Sequence, residues 1–111
     1  MSSRKQKIRT SGELWIGLAK VSQTNREGVL GAADAAYTNA IGLAKGKVGF
    51  RAAVSCALAD LGLSLRRLEN AETLKARLSK YSLEPELTTI AKTATQTGVV
   101  CFGTFHAFDI K

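Results

Sequence analysis

Proline and histidine each occur once in this chain, cysteine occurs twice, and aromatic residues make up 6% of it. Each scarcity excludes something. Cys56 and Cys101 stand far apart, so neither a disulfide framework nor a zinc site with clustered ligands can be assembled from them. A single histidine, His106, lies among phenylalanines and has no nucleophile or acid tied to it by a motif. No apolar run approaches the roughly 18 residues that a membrane-spanning helix needs. The scarcity of proline and aromatics, beside plentiful Ala and Leu, shifts the expectation toward helix.

What remains is a 111-residue chain that is 45% hydrophobic and 23% charged, in the range of a single globular domain. Such a chain buries roughly 65% of its unfolded surface. Sixteen Lys and Arg stand against nine Asp and Glu, a net charge of +7. Four of the positives, Arg4, Lys5, Lys7 and Arg9, precede the first acid, Glu13. This front end resembles the start of a targeting peptide, but the apolar patch from Leu14 to Ala19 is short and has no evident cleavage site. The expectation is a cytoplasmic or nuclear protein with a basic arm over residues 1–9 and a single domain over 10–111. Basic excess suits phosphate backbones or anionic surfaces. Nucleic acid is the expected partner, and contact with a membrane surface is not expected.

Helical signals run along the chain. Thr10 to Glu13 fits a capping box, followed by Leu14, Trp15, Leu18 and Val21 at helical spacing. Thr24 to Glu27 fits a second box and opens a predicted helix over 26–44, closed by Gly46. Its stripe is Val29, Leu30, Ala33, Ala36, Tyr37, Ala40, Ile41 and Ala44. Between Glu27 and Lys45 the only ion is Asp34. A solvated helical face carries Lys, Glu and Arg, so this ion-free segment predicts a second covering surface, and self-association is the first choice.

Phe50, Val54, Ala57, Leu61, Leu65 and Leu68 keep one helical phase across Gly62, which predicts one helix from Lys47 to about Glu69. About twenty residues here resemble a helix-turn-helix, with Gly62 at the turn, Ser64 capping, and Leu68 and Ala71 as core positions. That motif wants Ala or Gly where Leu58 stands, and a glycine inside a helix costs only about 1 kcal/mol. The unbroken helix is therefore preferred, with a free Cys56 buried in it.

Asn70 reads as the next helix start, with Ala71, Leu74, Leu78 and Tyr81 facing inward. Glu84-Pro85-Glu86 opens a further helix with Leu87, Ile90, Ala91 and Ala94 inward and Gly98 as its end. The tail from Val99 to Ile110 reads either as a hairpin about Gly103-Thr104 or as a short helix with Phe102, Phe105 and Phe108 on one edge.

No phosphate loop, metalloprotease or hydrolase motif occurs, so no catalytic residues, cofactor or metal are expected. On a continuous helix Arg66, Asn70, Thr73, Arg77 and Lys80 would align along about 20 Å of one face, while Arg67 would lie on another face. These residues and the arm form the expected phosphate-contacting set. Trp15, Tyr37 and Tyr81 fall on apolar stripes and are expected in the core, and His106 is expected to be partly buried in a structural role.

The resulting expectation is an all-α bundle of four or five helices, homodimeric or larger, binding RNA or DNA by backbone charge and shape. The alternatives are an assembly subunit whose small-residue helices pack copies together, and a helix-turn-helix regulator.

Overall fold

The computed structural model describes residues 12–23, 28, 30, 31 and 33–108. Strand β1 (Glu13–Ser22) pairs antiparallel with β2 (Ala35–Ala44), and helix α1 (Lys47–Ala59) follows. Strand β3 (Ser64–Thr73) returns along the other side of β1 and runs directly into the short helix α2 (Leu74–Leu78). Helix α3 (Pro85–Thr97) leads to two short strands, β4 (Cys101–Phe102) and β5 (His106–Phe108). The sheet order is β3-β1-β2-β4, with β5 also pairing β2. The fold is therefore mixed and built on an antiparallel sheet, not an all-α bundle.

The ion-free segment read as a helix is the central strand β2. Its alternate residues face two separate cores. Ala36, Ala40 and Ala44 join Ala19 and Val21 beneath Phe50, Val54 and Leu58 of α1. On the opposite face Ile41 joins Ile16 beneath Leu87, Ala91 and Ala94 of α3. A strand covered on both faces reads as a continuous small and apolar run, and such a run satisfies a helical period as readily as a strand period. The second covering surface inferred for this segment is real, but the chain's own helices supply it. The argument for self-association, and with it the assembly-subunit reading, loses its premise.

The 47–69 segment breaks where the glycine stands. Gly62 has φ +77. Its N–H donates to Ala59 O and that of Leu63 to Leu58 O, at 3.0 and 2.9 Å. These bonds are the paired closures of a Schellman motif, in which a left-handed glycine ends a helix. Leu63 and Leu58 are packed into the same core, the apolar contact that accompanies the motif. The next element is a strand, so there is neither one long helix nor a recognition helix.

Strand β3 explains the false helical phase beyond Gly62. Its register against β1 shifts twice, once between the partners of Lys20 and Val21 and once between those of Ile16 and Leu18. Each shift inserts one extra residue into β3, the signature of a β-bulge. Leu65, Leu68 and Ala71 consequently all pack toward the α1 core despite their spacing of three. Asn70, in the second bulge, adopts φ +54; Asn reaches this left-handed region more readily than most residues. The bulges also blunt β3 as a free sheet edge.

Other expectations resolve individually. Helix α2 begins at Leu74, not Asn70, and its cap is Thr73, whose Oγ1 accepts from the Ala76 N–H at 3.1 Å. Leu74 is buried, but Leu78 and Tyr81 are exposed. Helix α3 starts with Pro85 in its first turn and ends at the left-handed Gly98, with Leu87, Ala91 and Ala94 buried, as its sequence signals predict. Strands β4 and β5 do not pair with each other as a hairpin; both extend antiparallel along β2. Across the interruption Gly103 N–H donates to Asn39 O at 2.9 Å and Thr38 Oγ1 to Gly103 O at 3.1 Å. Cys56 is exposed rather than buried. No helix among the described residues is long and apolar enough to cross a membrane.

Candidate functional site

Among the described residues, the α3 face of the sheet is only partly covered. Helix α3 packs against β2 and β4, and α2 against β1 and β3. Their apolar cluster takes in Ile16, Ile41, Leu74 and Cys101 at one end of that face. Toward the other end the register builds a row across four strands. Lys20 stands opposite Tyr37 on β2 and opposite Arg67 on β3, and Tyr37 stands opposite His106 on β5. The row therefore reads Arg67, Lys20, Tyr37, His106, and spans about 15 Å at the usual strand spacing. None of these four residues belongs to either apolar cluster.

The row is organised by its own contacts. Phe108, on the same face as His106, stacks on Tyr37 with ring centroids 5.3 Å apart. The Lys20 ammonium lies 5.8 Å from the centre of the Phe108 ring, within reach of a cation–π attraction. Arg67 bonds Glu69 at 3.3 Å while its side chain stays mostly exposed, so the pair leaves the guanidinium available to another anion. His106 is exposed rather than partly buried, and Tyr37 is half-buried rather than in the core.

Two residues along β2 from Tyr37, on the same face, Asn39 opens into a cavity of about 590 Å³. Asn70 and Glu72 from β3, Arg77 and Lys80 from α2 and its exit, and Tyr81, Ser82 and Glu84 from the following loop line it. Glu72 holds both cations, Arg77 through Nε and Lys80 through Nζ at 2.8 Å. Arg77 also donates from Nη2 to the backbone O of Asn70 at 3.1 Å, which ties helix α2 to the bulge. The hydrogen bonds from Arg77 and Lys80 hold the Glu72 carboxyl below its ordinary value, so it is ionised throughout the neutral range. With Glu84 also on the wall, two cations and two carboxylates line the cavity, which carries no net charge.

Comparison with known proteins assigns nothing further. No family model matches the chain, and neither a curated protein nor a solved structure does. The site must be read from its own residues.

Of the residues selected from sequence, Arg4, Lys5, Lys7 and Arg9 lie outside the described residues. Arg66, Asn70 and Thr73 belong to a strand, so the predicted helical alignment with Arg77 and Lys80 does not exist. Arg66 is the extra residue of the first bulge, exposed at the sheet edge. Asn70, Arg77 and Lys80 nevertheless meet at one cavity, and Arg67 joins the row on the same sheet face. Lys20, Tyr37, Asn39, His106 and Phe108 were missed. One signal for them was present: Lys20 is the single ion between Leu14 and Ser22, an odd choice for a buried helical stripe but an ordinary one for the open face of a strand. Among the described residues no group of three or more His, Cys, Asp or Glu side chains is placed to hold a metal ion.

Proposed function

We propose that this protein binds single-stranded nucleic acid across the uncovered half of its sheet, as a binding protein without catalysis. The observation that carries the reading is the four-strand row of Arg67, Lys20, Tyr37 and His106, continued by Asn39 toward the cavity. Cations that contact phosphates supply affinity without sequence preference. Aromatic and imidazole rings on an open sheet give unpaired bases a surface to stack on. A four-strand row of about 15 Å is wider than the grooves of an undistorted B-form duplex, about 12 and 6 Å, which favours a single strand. The net charge of +7 acts in the same direction by raising the local concentration of a polyanion. This reading does not require a second copy of the chain.

The test is fluorescence anisotropy with labelled single-stranded RNA, single-stranded DNA and duplex, each at two salt concentrations. The expected result is tighter binding of single strands than of duplex, weakening as salt rises. Replacing both Lys20 and Arg67 by Ala should reduce the slope of log affinity against log salt by about 1.4, roughly 0.7 for each lost phosphate contact. Tyr37→Leu should weaken binding by the worth of one stacked base, about 1–3 kcal/mol. Absent binding, or binding indifferent to salt and to these substitutions, would defeat the proposal.

A further inference from the structure

We infer that the cavity beside the row receives one splayed-out base of the bound strand and reads it through Asn39 and Asn70, with adenine preferred. This inference rests on the single-strand reading above and adds a base preference to it. A volume of about 590 Å³ lies in the range that accommodates a small-molecule-sized group. The chemistry of the walls favours a base over a bare anion. Both cations already share Glu72, so a free phosphate or carboxylate would have to compete with a built-in carboxylate.

The two amides are differently placed. Gly103 N–H uses the backbone carbonyl of Asn39, and Arg77 uses that of Asn70. Both asparagines are among the residues that line the cavity. An amide donates and accepts at once, and its geometry matches the N6 and N7 edge of adenine. Tyr81 is 63% exposed at the same cavity, so its ring is accessible to stack on an entering base. Leu83 and Leu87 supply an apolar wall. Asn39 shares the sheet face with Tyr37, which makes the path from row to cavity continuous.

The left-handed backbone at Asn70 provides a clean variant. Asn70→Gly tolerates φ +54 at no steric cost and removes the side chain with its amide. The experiment measures the affinities of oligo(A), oligo(U) and oligo(C) RNA for the full chain, for Asn70→Gly, Asn39→Ala and Tyr81→Ala, and for the Lys20 and Arg67 double variant. Denaturation midpoints establish that each variant is folded. The full chain should prefer oligo(A) by at least about tenfold, within the discrimination a bidentate amide contact provides. Each asparagine variant should lower oligo(A) affinity toward that of the other two polymers, while the double variant should weaken all three together. If the polymers bind alike, or the preference survives both asparagine variants, the base-reading role is refuted while single-strand binding stands. If none of the polymers binds, both proposals fall.

Discussion

Leu68 of β3 fills the space that a side chain on Gly17 of β1 would need, with its Cδ1 3.0 Å and the Ala71 Cα 3.4 Å from where a Cβ would stand. The contact exists because the second bulge crowds an extra residue of β3 opposite Gly17. Gly17→Val must therefore displace Leu68 or bend β3, and should destabilise the protein by about 1–3 kcal/mol, the usual range for overpacking. Gly17→Ala should cost less, because it adds only the Cβ and not the two further methyl groups of valine. Urea denaturation of the two variants provides the comparison.

Leu58 and Leu61 separate the true end of α1 from the longer helix that the sequence suggests. Leu58 is fully buried and Leu61 is 39% exposed. Leu58→Ala should cost about 2–5 kcal/mol, as for other large-to-small core changes, whereas Leu61→Ala should stay within about 0.5 kcal/mol. Equal costs in chemical denaturation would contradict the Schellman ending at Gly62.

Glu72 makes a definite prediction about acid. Its carboxyl is held below the ordinary value by Arg77 and Lys80, so the unfolded chain takes up this proton at a higher pH than the folded one. The stabilisation is present in full above the ordinary value of 4.5 and is lost as pH falls through the lowered one. Stability of the wild-type chain should decline over that acidic window more steeply than stability of Glu72→Gln. Denaturant midpoints measured from about pH 6 downward, across the range where carboxylates titrate, would reveal the difference, and parallel curves would rule it out.

The two thiols should react at different rates. Cys56 is exposed on α1, whereas Cys101 is half-buried and its thiol is pushed above its ordinary value by that burial. Thiolate is the reactive form, so a thiol reagent near neutral pH should modify Cys56 first and Cys101 more slowly. Mass spectrometry of the peptides over a time course gives the order. The reverse order would conflict with the placement of β4 against the sheet.

Legibility in the sequence depended on how local each signal is. The start and end of α3 were readable because Pro85 and Gly98 act through their own backbone angles. Gly62 was visible as a possible turn, but its left-handed angle and the Leu58 and Leu63 contact depend on where the chain goes next. Arg77 and Lys80 were chosen for their charge. Their meeting with Asn70 at a cavity depends on a bulge that no spacing rule reveals. Lys20, Tyr37 and His106 stand on three different strands, and only register brings them into one row.

The amino-acid order alone determined a basic chain, the helix from Pro85 to Thr97 and the need to hide the ion-poor residues before Lys45 on more than one side. Only the tertiary structure decided that those residues form a central strand, because apolar side chains on both faces carry no period that separates strand from helix. It also decided which charges share a surface. Side chains distant in the sequence become neighbours through strand pairing, and pairing is fixed by long-range packing that local propensity does not contain.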